Sequence, residues 1–142
     1  MTSTLQELID IGIMPHIEKI GVISDKATRE LALENAKFKM ETEWDNINFS
    51  MTPFKDSGSY ILIDNETIWD ILDDHLMKTI SMCSSPYIKF MQRDMDSWRQ
   101  GLVRIQEILE EWEYCQKIWM YLYPIFSHKD IANKLPAPSR EF

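Results

Sequence analysis

Between Ser85 and Tyr123, apolar and aromatic residues return at every third or fourth position: Ile88, Met91, Met95, Trp98, Leu102, Ile105, Leu109, Trp112, Gln116, Trp119 and Tyr123. Only Gln116 interrupts the series, and the residues between are mostly Lys, Arg, Asp, Glu, Gln and Ser. Side chains three and four apart share one face of an α-helix, so this spacing predicts a single long helix over 85–123 with one buried stripe. Ser85 suits the N-cap and Pro86 the first helical position, where a missing N–H costs nothing. Pro124 has no N–H to donate, and its ring collides with the carbonyl four residues back, which predicts the stop. Propensity alone does not hold so long a helix in water, so its stripe has to lie on other parts of the chain.

Those other parts follow in order. Residues 1–23 carry Leu5, Leu8, Ile9, Ile11, Ile13, Ile17 and Ile20, broken by Gly12 and Pro15. They read as a short helix, a bend and a second short turn near Pro15–Lys19, with Gly21 as C-cap. Ser24 then caps a helix over 24–46, with Asp25 in its first turn where the macrodipole favours an anion. Its inner face is Leu33, Ala36, Met40 and Trp44, widened by Leu31 and Phe38, and small Ala32 and Ala36 admit a close neighbour. The period next drops to two: Ile47, Phe49 and Met51 alternate with Asn48, Ser50 and Thr52, and Tyr60–Ile63 returns after a turn through Gly58. This predicts a β-hairpin over 47–63. Asp64 or Asn65 caps a helix over 64–80 with the stripe Ile68, Ile71, Leu72, His75, Leu76 and Ile80. Beyond Pro124, residues 128–142 give a helical turn at Lys129–Lys134, and Pro136 and Pro138 predict an extended exit. The fold class expected is mainly α, an elongated bundle of long helices with one inserted β-hairpin, forming a single domain over 1–142.

Composition adds mostly exclusions. The 142 residues are 44% hydrophobic with four Gly, enough for a core. A net charge of −8 with no basic cluster weighs against nucleic acid or an anionic membrane as partner. The start MTSTLQELID has neither the basic region nor the apolar core of a signal peptide, and no apolar run reaches membrane-spanning length. Cys83 and Cys115 stand outside any paired motif, which predicts free, mostly buried thiols in a reducing compartment. His16, His75 and His128 fall in three different elements without ligand spacing, and His75, beside a helix stripe, reads as a satisfied core or boundary histidine. There is no Gly-rich phosphate loop and no Ser/His/Asp or Cys/His arrangement. Asp73-Asp74 and Glu110-Glu111 are neighbours on helices, so each pair splays by about 100°. No catalytic, cofactor-binding or metal-binding residue is therefore expected, no cofactor, and no activity for the chain by itself. The residues singled out are structural: Met95, Trp98, Leu102, Ile105, Leu109, Trp112 and Trp119 as core or seam, with Gly101 and Pro124 as candidate bend points. For the tryptophans, burial in the chain's own core outweighs a partner surface. The pattern alone admits a stiff piece of a larger machine or a helical interaction or coiled-coil dimerisation module.

Several stretches resemble the tail-proximal linker region of axonemal dynein heavy chains. They are Leu5–Asp10 running on through Ile13-Met14-Pro15-His16-Ile17, then Ala27–Glu34, Ser85–Lys89, Trp98, Ile105–Trp112 and Trp119–Phe126, and the resemblance around them extends over nearly the whole chain. The resemblance implies an elongated, mainly helical arm lying across a ring of AAA+ ATPase modules, bending and straightening as nucleotide turns over. It implies that the chain is a fragment of a very large microtubule motor of the cilium or flagellum axoneme. Its partners are then the rest of the same heavy chain, meaning the remaining linker and the ring, with the microtubule reached only through the parent motor.

Overall fold

The computed structural model describes residues 4–142. Helix α1 (Leu5–Asp10) is held by a capping box, in which the Thr4 side chain accepts from the Glu7 N–H and the Glu7 carboxylate accepts from the Thr4 N–H. Gly12, at φ +84°, makes the bend, and a 3₁₀ turn at Met14–His16 leads straight into α2 (Ile17–Trp44). The expected break at Gly21 and cap at Ser24 are absent. A helix-interior glycine costs about 1 kcal/mol without ending the helix, and the Ser24 carbonyl accepts from the Thr28 hydroxyl at 2.9 Å. From Arg29, whose guanidinium lies over the Tyr87 ring at 5.3 Å, α2 meets the rest of the chain along Leu33, Lys37, Met40 and Trp44. Leu31, Ala32, Ala36 and Phe38, placed in or beside the core face from sequence, are exposed. The 33–37–40–44 row took the contact, and Leu31 and Phe38 look away from it.

Strands β1 (Ser50–Pro53) and β2 (Tyr60–Ile63) pair antiparallel, with Ser50 opposite Ile63 and Pro53 opposite Tyr60. Lys55 and Gly58 take positive φ in the turn. Ile47 precedes the paired region and packs instead against the core. Helix α3 (Glu66–Cys83) follows from Asn65 and runs three residues beyond the expected end.

The long helix α4 spans Gln92–Phe126, 35 residues and so about 52 Å. It starts later than the pattern predicts, because the chain first makes a 3₁₀ turn at Ile88–Met91. Ser85 lies ahead of that turn and caps neither it nor the helix, accepting the Tyr87 N–H on its hydroxyl at 3.3 Å and the Ile88 N–H on its carbonyl at 3.2 Å. Pro124 lies inside α4 and does not stop it. It sits one turn from the end on an exposed face, so one intrahelical bond is forfeited, and the Ser127 N–H still reaches the Tyr123 carbonyl at 2.9 Å. The extended exit is also replaced: α5 (Lys129–Lys134) is followed by α6 (Pro136–Glu141). Pro136 and Pro138 fall in the first turn of α6, where N–H groups have no intrahelical partner in any case. The chain is thus mainly α with one inserted hairpin.

Two adjoining apolar clusters hold it. Leu62, Ile68, Leu72, Leu102 and Leu109 join β2, α3 and α4, while Ile88, Met91 and Met95 join the 3₁₀ turn to α4 with Leu33 of α2 against them. Trp98 touches both clusters.

Candidate functional site

The stripe of α4 is the organising feature. Met95, Leu102 and Leu109 are fully buried, with Trp98, Ile105 and Trp119 half-buried. Trp112 is 40% exposed and packs one side on Phe49 at 5.6 Å. Further along, Phe54 of the hairpin turn meets Trp119 at 5.3 Å and Tyr123 at 5.6 Å. Phe142 folds back to stack on Phe126 at 4.9 Å. The covering elements therefore change along the rod, from the 3₁₀ turn and α2, through α3, to the hairpin and the C-terminal residues. Gly101 and Pro124 lie in one continuous helix; around Gly101 the space a Cβ would occupy is open, so close packing within the chain is not its reason.

The one polar residue of the stripe explains the hairpin's position. Gln116 Oε1 accepts the Leu62 N–H at 2.6 Å, and its amide donates to the Leu62 carbonyl at 2.9 Å. One side chain thereby satisfies both backbone groups that Leu62 turns away from β1. One turn earlier, Glu113 Oε1 accepts from Trp69 Nε1 at 2.8 Å and from Asn65 Nδ2 at 3.0 Å, tying the start of α3 to α4.

A second polar tie joins α2 to α3. His75 is fully buried; its Nδ1 accepts from Trp44 Nε1 at 2.9 Å, so the ring hydrogen lies on Nε2 and donates to Glu43 at 2.8 Å. Both ring nitrogens are used within the fold. Lys37 makes the third tie, from α2 to α4, bonding Glu41 and, at 3.1 Å, Asp94. Burial works against its ammonium, but the hydrogen bonds and charges of Glu41 and Asp94 outweigh it, and its pKa is raised above the ordinary lysine value. His75 reads from sequence as a satisfied histidine, and it is one; its partners and the other ties were not singled out. The legible signal was a lone polar residue in an otherwise apolar row, which is what Gln116 is.

Cys83 is half-buried and Cys115 exposed, both free, so the expectation of buried thiols fails at Cys115, which lies off the stripe. Among the described residues, no three His, Cys, Asp or Glu side chains converge, and no helix is long and apolar enough to cross a membrane. The polar ties are made within the fold, while Thr79 Oγ1 and Trp98 Nε1 are buried without a partner; what the arrangement offers outward is surface. That surface is large. The chain exposes 11151 Å², against about 7,700 Å² for a compact monomer of its 16.8 kDa mass. Much of it is apolar, including Ile17, Ile20, Leu31 and Phe38 on α2 and Ile108, Ile118 and Tyr121 on α4.

The sequence profile of the family described as "Dynein heavy chain, N-terminal region 2" matches residues 1–142. The chain is 40% identical over 139 residues to mouse (Mus musculus) dynein axonemal heavy chain 1, covering 98% of this chain and 3% of that protein. It is 39% identical over 140 residues to rat (Rattus norvegicus) dynein axonemal heavy chain 12, covering 99% of this chain and 4% of the relative. Against human (Homo sapiens) dynein axonemal heavy chain 3 it is 37% identical over 141 residues, 99% of this chain and 3% of the relative. The chain thus spans a few hundredths of the length of the curated relatives it matches.

Proposed function

The chain belongs to the dynein heavy-chain family, and from that premise we propose that it is a segment of the motor's mechanical linker. In this reading it transmits the shape change of an ATP-driven AAA+ ring during microtubule sliding in the axoneme, and performs no chemistry of its own. Its partners are the remainder of the same heavy chain, meaning the following linker segments and the ring. The observation that carries the reading is α4: 35 residues of unbroken helix whose stripe is fastened in turn to three different parts of the chain. A helix braced along its length passes on displacement with little loss, whereas a free helix of this length would bend and fray. Its stripe is occupied by the chain's own segments through Leu109, which leaves no free heptad seam there for a dimeric coiled coil.

Softening the rod without touching its core is the test. Glu107 and Glu111 are exposed, and replacing both with glycine costs about 1 kcal/mol each in helix propensity. In the parent heavy chain, Glu107→Gly with Glu111→Gly is expected to lower microtubule sliding velocity while ATP turnover persists. Unchanged velocity per ATP consumed would remove the lever role.

A further inference from the structure

Where α2 and α4 draw apart, a trough of about 350 Å³ opens between them. Its floor is apolar, from Trp98, Leu102 and Ile105 of α4, and Trp44 of α2 closes one side. On the α4 side the lip is low, because Ser97 and Gly101, one turn apart, carry almost no side chain. Two features here have no explanation within the described residues. Gly101 occupies a helix interior with nothing within 4 Å of where its Cβ would be. The Trp98 indole nitrogen is shut away from water and has no acceptor. A low lip above an apolar floor is what a helix lying across Gly101 would require, since glycine lets backbone approach closely.

The rim indicates the occupant's chemistry. Lys37 is its one cation, bound by both Glu41 and Asp94, whose side chains remain 44% and 63% exposed. The lip is therefore net acidic, as is the whole chain at −8. An occupant that fits presents apolar side chains to the floor and a basic residue to Asp94 and Glu41. Its source follows from length and area. The chain matches only 3% to 4% of its relatives, so most of such a polypeptide is tethered nearby at high effective concentration. The surface in excess of a compact monomer, about 3,500 Å², is more than a standard interface of about 800 Å² per partner takes up.

We propose that the trough between α2 and α4, centred on Gly101 and Trp98, receives an amphipathic, basic-flanked helix from elsewhere in the same heavy chain. This rests on the linker reading only in placing other heavy-chain segments alongside.

The test uses the full-length heavy chain with benzoylphenylalanine, a photo-crosslinking residue, in place of Ser97, which is exposed at the lip, and of Arg99 as a control off the trough. Irradiation from position 97, but not 99, is expected to give an internal cross-link, mapped by peptide mass spectrometry to one apolar helix bearing Lys or Arg outside residues 1–142. Adding Gly101→Trp, which fills the trough, or Asp94→Lys, which reverses the rim charge, should lower that yield several-fold. A cross-link to a second copy or to a different polypeptide overturns the proposal, as does a yield from position 97 no higher than from 99. Any of these with the glycine-softened α4 still slowing sliding removes the trough assignment alone and leaves the lever reading standing.

Discussion

Gln116 shows how much a single side chain decides. Replacing it with leucine would make the stripe of α4 uniformly apolar, and a count of hydrophobic positions would rate that an improvement. The outcome expected is the opposite, because the Leu62 N–H and carbonyl would both lose their partner at a half-buried site. An unsatisfied buried group costs about 1–3 kcal/mol, so Gln116→Leu should lower the unfolding free energy by at least that much, read as a lower urea midpoint. A midpoint at or above the parent's would show that Gln116 holds nothing in place. Lys37 makes a prediction of a different kind. Its pKa is raised in the fold, so its contribution is fully present below the ordinary lysine value and is lost as pH rises through the folded-state value. Unfolding curves from about pH 9 to about pH 12 should show a steeper alkaline loss for the parent than for Lys37→Met. Lys78, also raised by Asp74, is exposed and present in both proteins, so it does not account for the difference. Equal slopes would mean that the Glu41 and Asp94 bonds contribute nothing.

For whole elements, local rules and packing divide the credit. The period-3.6 stripes of α4 and α3 were legible because each buries a face, and burial imposes its repeat on the sequence. The alternation over 47–52 marked the hairpin, but the face it named is not the buried one, since Phe49 and Met51 are exposed and Thr52 is half-buried. Ends were less legible. Pro124 is a strong stop signal, yet a proline one turn from a helix end on an exposed face removes one bond and leaves the rest of the ladder whole. Ser24 and Gly21 carry cap chemistry that α2 does not use, because no change of chain direction is needed there. Conversely, Pro136 and Pro138 suggest an extended segment, but two prolines two residues apart also fit a first helical turn. The partners in the polar ties were illegible for a further reason: each tie joins residues more than thirty positions apart, as Trp44 with His75 or Leu62 with Gln116, and no local pattern encodes such pairs. Gly101 yields a test at this scale. With open space at its Cβ and a helical backbone, Gly101→Ala in the 142-residue chain should raise stability by about 1 kcal/mol, read as a higher denaturant midpoint at unchanged slope. A loss of stability would mean that the glycine serves the packing of this chain itself.

Taken whole, the molecule is held together around α4. Helices α3 and α4 with the hairpin form the main cluster, and α2 joins the rest from Arg29 onward, its N-terminal half carrying Ile17, Ile20, Val22 and Ile23 into solvent. Such a distribution suits a piece of a longer arm, whose bare faces are covered by neighbouring segments of the polypeptide. The hairpin's edges matter at the same scale. A two-stranded sheet ordinarily offers both margins as templates for a further strand, the usual route to fibrous aggregation. Here Gln116 occupies one margin at Leu62, and the other runs into Pro53, which has no hydrogen to lend. The amide that fixes the hairpin on the rod therefore doubles as a stopper, denying a passing chain the backbone groups it would need to add itself on.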